Sequence, residues 1–234
     1  MSNTKVRFLR GSTLRTTNLI LNLLAGFFMM PFLIHSLGDR LYGIWLIAGS
    51  ILGYYGLMDF GLNSAIQHYV SAAMAEKDEE SANRIVNTLV RIFSIIGLFL
   101  CIASFVAAFL LSLFVKSHEN VVVLRPLIII LGLSFGIGFP FRTFSGFLMA
   151  DMRFDIVSAV DSAKLLLRTA MVVLFVFKGY GLVALAIITA SCDLSAYLAQ
   201  LLIVRSKYKF LRISKNILEK LKVRELFRYS IQSF

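Results

Sequence analysis

Apolar residues fill six stretches of the chain, Leu14–Ile34, Leu41–Val70, Ile92–Val115, Leu127–Ala150, Ile156–Phe177 and Gly179–Val204, with short polar runs between them. Each reaches the ~20 residues that a helix rising 1.5 Å per residue needs to cross ~30 Å of hydrocarbon. None shows the alternating ten-residue pattern of a barrel strand, so the pattern predicts an all-α, polytopic transmembrane bundle. Residues 1–204 form the six-helix bundle in this reading, 205–224 a basic cytoplasmic interfacial segment, and 225–234 the start of a seventh helix.

Polar residues inside these stretches recur at helical spacing. In the first span Ser12, Arg15, Asn18, Asn22 and Gly26 share a face, and Pro31 bends the outer end. In the second, Trp45, Gly49, Leu52 or Gly53, Gly56, Asp59, Asn63 and Gln67 step by three or four and share one face of a helix. Gly49 and Gly53, like Gly132 and Gly136 in the fourth span, are small residues spaced for close helix approach. Also in the fourth span, Pro140 removes a helical hydrogen bond among several glycines, which predicts a kink, and Arg142 lies beside it. Arg142 is placed either to bond phosphate or to reach the inner interface.

The fifth span carries the most charge. Asp155, Ser158, Asp161, Ser162, Lys164, Arg168 and Thr169 crowd one side of it. Because Lys178 and Gly179 turn the chain directly into the sixth span, residues equally far from that turn lie at one depth. Lys164 and Asp193 are such a pair, and pairing would offset part of the cost of placing both in the membrane. Arg168, one turn further out, is left with uncompensated charge. Two readings follow: a structural ion-pair cluster of Asp161, Lys164, Arg168 and Asp193, or a water-filled cationic cavity that receives an anion.

Composition agrees with the membrane reading: 58% of residues are hydrophobic, 16% are charged, and the mean hydropathy is +0.80. The net charge of +11 would suggest nucleic acid in a soluble protein. With the N-terminus inside, however, Arg40, Lys116, Arg125 and Lys178 are external, and the rest of the 24 Lys and Arg fall on the cytoplasmic side. The positive-inside rule accounts for that asymmetry, so no nucleic-acid partner is expected. Cys101 and Cys192 fall in apolar stretches and suggest neither a disulfide nor a metal site.

The external connections "HSLGDR", "KSHEN" and Lys178–Gly179 are too short for a catalytic domain. Inside, "MAEKDEESANR" (Met74–Arg84) reads as a charged loop, with Ser81 or Asn83 available to cap the third span. After Val204 the chain is rich in Lys and Arg, with Ile213, Ile217 and Leu221 near helical spacing, a segment suited to anionic headgroups. The final "LFRYSIQSF" reads as the opening of another apolar helix, so the chain reads as part of a longer transporter. No nucleotide-binding loop, metal cluster or Ser/His/Asp set is present, so neither an enzyme nor a cofactor is expected; "DFG" at Asp59–Gly61 is a chance match.

The run "SLGDRLYGIWLIAGSILGYYGLMDFGLNSAIQHYV", followed in order by "FSGFLMADMRFD", "GYGLVALAI" and "ELFRYSIQSF", resembles the polysaccharide transporter family. These are the flippases of lipid-linked O-antigen, capsule and teichoic-acid oligosaccharides, within the multidrug/oligosaccharidyl-lipid/polysaccharide exporter superfamily. The resemblance implies a multi-pass protein of the cytoplasmic membrane, N-terminus inside, forming the first lobe of a two-lobed carrier that works by alternating access. Its partners would be membrane lipids, the second lobe, and an oligosaccharide on an undecaprenyl pyrophosphate-type lipid. Arg15, Arg142, Lys164 and Arg168 match the basic positions expected to hold the pyrophosphate. Asn18, Asn22, Asn63 and Gln67 would then bond sugar hydroxyls, Asp59 would balance the cations, and Asp161 with Asp193 would form the ion pair or couple transport to ions.

Other functions remain open at this point. A cation or multidrug antiporter needs a carboxylate at the cavity core, whereas the first span holds Arg15 and the fifth is rich in cations. A membrane-embedded glycosyltransferase needs larger external loops. A non-transporting scaffold for polysaccharide assembly is the fourth reading.

Overall fold

The computed structural model describes residues 2–57 and 62–211, with side chains for 13–55 and 64–211. Among them are eight α-helices and no strand: α1 (Ser2–Leu37), α2 (Asp39–Leu57), α3 (Leu62–Ala75), α4 (Glu79–Phe114), α5 (His118–Gly138), α6 (Arg142–Ala150), α7 (Phe154–Phe177) and α8 (Leu182–Lys207). A single 3₁₀ turn, Phe139–Phe141, separates α5 from α6. It holds Pro140, which has no N–H to continue the α-helical ladder.

Four segments are long and apolar enough to cross a membrane: Thr13–Leu37, Glu79–Phe114, His118–Ala150 and Leu182–Lys207. α7 is long enough, but Asp155, Asp161, Lys164 and Arg168 set its composition apart from these four. Outward from the bundle point Leu23 and Phe27 of α1, Ile95, Phe99 and Phe109 of α4, and Leu202 of α8, all exposed. Large apolar side chains facing outward are what a lipid environment requires.

The elements differ from the sequence reading at several places. The Leu41–Val70 stretch, read as one span, is described as α2 and α3, with 58–61 outside the described residues, and α4 begins at Glu79, ahead of the expected Ile92. The Met74–Arg84 stretch is largely helical, because α3 runs to Ala75 and α4 begins at Glu79. Asp78, and neither Ser81 nor Asn83, caps α4: its Oδ1 accepts from the Ser81 N–H at 2.8 Å. A carboxylate cap followed by Glu79 and Glu80 complements the helix dipole, which explains the choice. α5 starts at His118, nine residues before the expected span, and Arg125 is satisfied there by donating from Nε to the Ala108 carbonyl at 3.1 Å. Of the basic segment 205–224, residues beyond Leu211 lie outside the described residues, as does 225–234.

The side chains pack in two apolar clusters. One joins α3, the first half of α4, the 3₁₀ turn and α6 around Ile66, Phe93, Phe139 and Phe147. The other joins α1, α2, the end of α4, α5, α7 and α8 around Ile44, Leu127, Leu185 and Ile188. α4 lies closely against α5, where glycine faces glycine. A Cβ on Gly136 would stand 2.7 Å from the Gly97 carbonyl oxygen and 2.5 Å from Cys101 Sγ, and one on Gly132 would overlap Ser104. Gly49 and Gly53 have nothing within 4 Å, so close approach through glycine occurs at α4–α5 and does not involve that face of α2.

This contrast gives a test. Gly136→Ala should lower stability by about 1–3 kcal/mol, the usual cost of overpacking a filled interior, whereas Gly49→Ala should leave it unchanged or slightly raised. Thermal unfolding of the two variants in detergent would compare them, and equal melting temperatures would contradict the close packing.

Candidate functional site

α7 lies between α1 and α8, and its polar side meets both. Toward α1, Asn18 donates from Nδ2 to Ser162 Oγ at 2.9 Å and to the Ser158 carbonyl at 3.3 Å. Asn22 donates to the Asn18 carbonyl and Oδ1, both at 2.8 Å, which leaves its own amide oxygen open as an acceptor. Each bond satisfies a polar group that hydrocarbon would otherwise strand. Arg15, on the same face of α1, is exposed and has no hydrogen-bond or ion-pair partner among the described residues.

Toward α8, Lys164 Nζ stands 3.3 Å from Asp193 Oδ1 and 3.9 Å from Asp161 Oδ1. The two helices run antiparallel from the turn at Gly179, whose φ of +80° suits glycine, so residues equally far from it meet. One cation thus serves two carboxylates. Arg168, one turn nearer the Gly179 end of α7, is half-buried and has neither an ion pair nor a hydrogen bond among the described residues.

Beside Arg168 is a cavity of 280 Å³ lined by Asn22 and Gly26 of α1, Trp45 of α2, Thr169 of α7 and Thr189 of α8, with Met29, Leu33, Leu165 and Leu185 among its apolar walls. The Trp45 indole N–H and the Thr169 and Thr189 hydroxyls have no partners among the described residues either. Four polar groups without a partner among the described residues therefore line the same space. A larger hollow of 840 Å³ between α5, α7 and α8 is walled by side chains such as Val122, Phe175, Tyr180 and Ile187, and offers nothing comparable to a charged group.

The residues singled out from the sequence divide accordingly. Asn18, Asn22, Asp161, Lys164, Arg168 and Asp193 gather on and around α7. Arg142 is elsewhere: its guanidinium lies over the rings of Phe135 and Phe139, with Cζ 4.4 and 4.8 Å from their centroids. It does not line this cavity, and cation–π contact holds it against the 3₁₀ turn. Gln67 is also apart, with Nε2 3.9 Å from Met149 Sδ, since α3 packs on α4 and α6. Asp59 lies outside the described residues, as does the side chain of Asn63. Thr189 was not singled out, although the same depth reckoning identifies it: it follows Gly179 by as many residues as Arg168 precedes Lys178.

Neither the search of curated proteins nor that of solved structures found a match. A family model described as "Polysaccharide biosynthesis protein" does match, over residues 8–234. With apolar helices long enough to span the bilayer and nearly all of its length inside that match, this multi-pass membrane protein belongs to the polysaccharide biosynthesis protein family.

Proposed function

We propose that the chain takes part in moving lipid-linked oligosaccharide or polysaccharide precursors across the cytoplasmic membrane, by exposing a cationic cavity alternately to each side. The observation that carries this reading is the Arg168 guanidinium, unpaired among the described residues, beside a cavity whose other hydrogen-bonding groups also lack partners among them. Counted along α7, Arg168 lies roughly 15 Å from the turn at Lys178, about half the hydrocarbon thickness. Unpaired charge at mid-membrane is costly, and a phosphate ligand supplies the missing partner.

On this reading α2 and α7 complete six spans with the four strongly apolar segments, and the N-terminus is cytoplasmic. The bundle acts as one lobe, with a second lobe or an equivalent partner closing the cavity. The chain performs no covalent chemistry. Cation antiport fits less well, because Asp161 and Asp193 are both engaged by Lys164 while the free charge at the cavity is positive.

Reconstitution tests the proposal. Liposomes carrying a polyprenyl pyrophosphate-linked oligosaccharide in the inner leaflet are given a membrane-impermeant glycosidase outside. Adding the protein should raise the fraction cleaved with time. An unchanged fraction with folded protein present would refute translocation by this chain, and a proton flux stimulated by cationic dyes would favour antiport.

A further inference from the structure

The chain has a single tryptophan, Trp45, and it lines the Arg168 cavity. Membrane tryptophans ordinarily sit at the headgroup level, where the indole N–H meets water. Trp45 lies six residues into α2, about 9 Å from its start at Asp39, and is half-buried against the apolar cluster around Ile44, Leu127, Leu185 and Ile188. Its N–H has no acceptor among the described residues. Packing explains an aromatic body here; it does not explain an indole beside two threonine hydroxyls, an amide oxygen and an arginine that all lack partners among the described residues, since Phe would fill the same space without leaving a donor unsatisfied.

We propose that this cavity is a subsite for one phosphorylated sugar unit, in which the Trp45 indole face stacks on the pyranose ring while Arg168 bonds the phosphate. The C–H face of a pyranose is weakly electropositive and matches the negative face of an indole, as edge-to-face aromatic contacts do. Ring hydroxyls project to the sides, where Thr169, Thr189 and the Asn22 amide oxygen stand ready. Size sets the limit: 280 Å³ is just below the roughly 300–1,000 Å³ of ordinary small-molecule sites, room for one ring and its phosphate but not for a second ring. The subsite therefore reads the sugar next to the phosphate, and the remaining sugars lie outside it. This inference rests on the proposal that the chain handles lipid-linked saccharides.

Because no other tryptophan is present, fluorescence reports on this site alone. Purified protein in detergent is titrated with glucose 1-phosphate, N-acetylglucosamine 1-phosphate and inorganic phosphate. The sugar phosphates should change Trp45 emission saturably, and saturation-transfer NMR should show their ring protons in contact with the protein. Trp45→Leu should weaken sugar-phosphate binding about fivefold to tenfold by NMR, leave inorganic phosphate binding unchanged, and be partly rescued by Trp45→Phe. If both sugar phosphates bind no better than phosphate, or if Trp45→Leu changes nothing, the inference is overturned while the anion reading stands. If neither sugar phosphate nor phosphate binds the folded protein, both fall together.

Discussion

Arg168→Gln is expected to reduce binding of a polyprenyl pyrophosphate ligand by about 10- to 100-fold and to bring translocation close to background. The substitution keeps a polar side chain with an amide donor, and what it removes is the charge and the five-donor guanidinium fork. A hydrogen bond to a charged group contributes roughly 1.5–3 kcal/mol, and each 1.4 kcal/mol is tenfold in affinity. Arg168→Lys should fall between wild type and Gln, because the charge remains while bidentate geometry is lost. Calorimetry in nanodiscs gives the affinities, and the liposome assay the transport. The fold should be insensitive, since Arg168 forms no ion pair or hydrogen bond within the described residues. Unaltered affinity in the Gln variant would mean that the guanidinium does not meet the ligand.

What could be read in advance was whatever depends on one helix or on one turn. Apolar length indicated helices, and depth counted from the Lys178–Gly179 turn paired Lys164 with Asp193 because an antiparallel hairpin leaves no freedom in that register. Pro140 interrupted its helix for a covalent reason. What could not be read was which faces meet. Gly49 and Gly53 have the same spacing as Gly132 and Gly136, yet only the latter pair has another helix against it. Arg142 lies over Phe135 and Phe139 and away from the Arg168 cavity, and those rings shared its stretch of sequence but gave no sign of their orientation. Trp45 and Thr189 come from helices separated by most of the chain. Thr189 was within reach of the depth count from Gly179, but α2 packs mainly on α5 and α1, and no local pattern brings Trp45 to the Arg168 cavity.

The Lys164–Asp193 pair separates stability from binding. Lys164 and Asp193 are 26% and 30% exposed, so the pair is neither a surface bridge of negligible effect nor a dry one, and its attraction is partly offset by desolvation. Asp193→Asn leaves Lys164 with Asp161 alone, at 3.9 Å, and should lower stability by roughly 1–3 kcal/mol. The triple variant Asp161→Leu, Lys164→Met, Asp193→Leu should recover most of that loss, because it leaves neither a carboxylate nor an ammonium unpaired between the two membrane helices. Binding should move the other way in the single variant. Removing a carboxylate one turn from Arg168 makes the surroundings of the cavity more positive, so Asp193→Asn should bind inorganic phosphate several-fold more tightly even as it melts earlier. A purely structural pair would show the lower melting temperature with phosphate affinity unchanged. Tighter binding in the less stable protein would show that Asp193 holds back charge that the cavity could otherwise use.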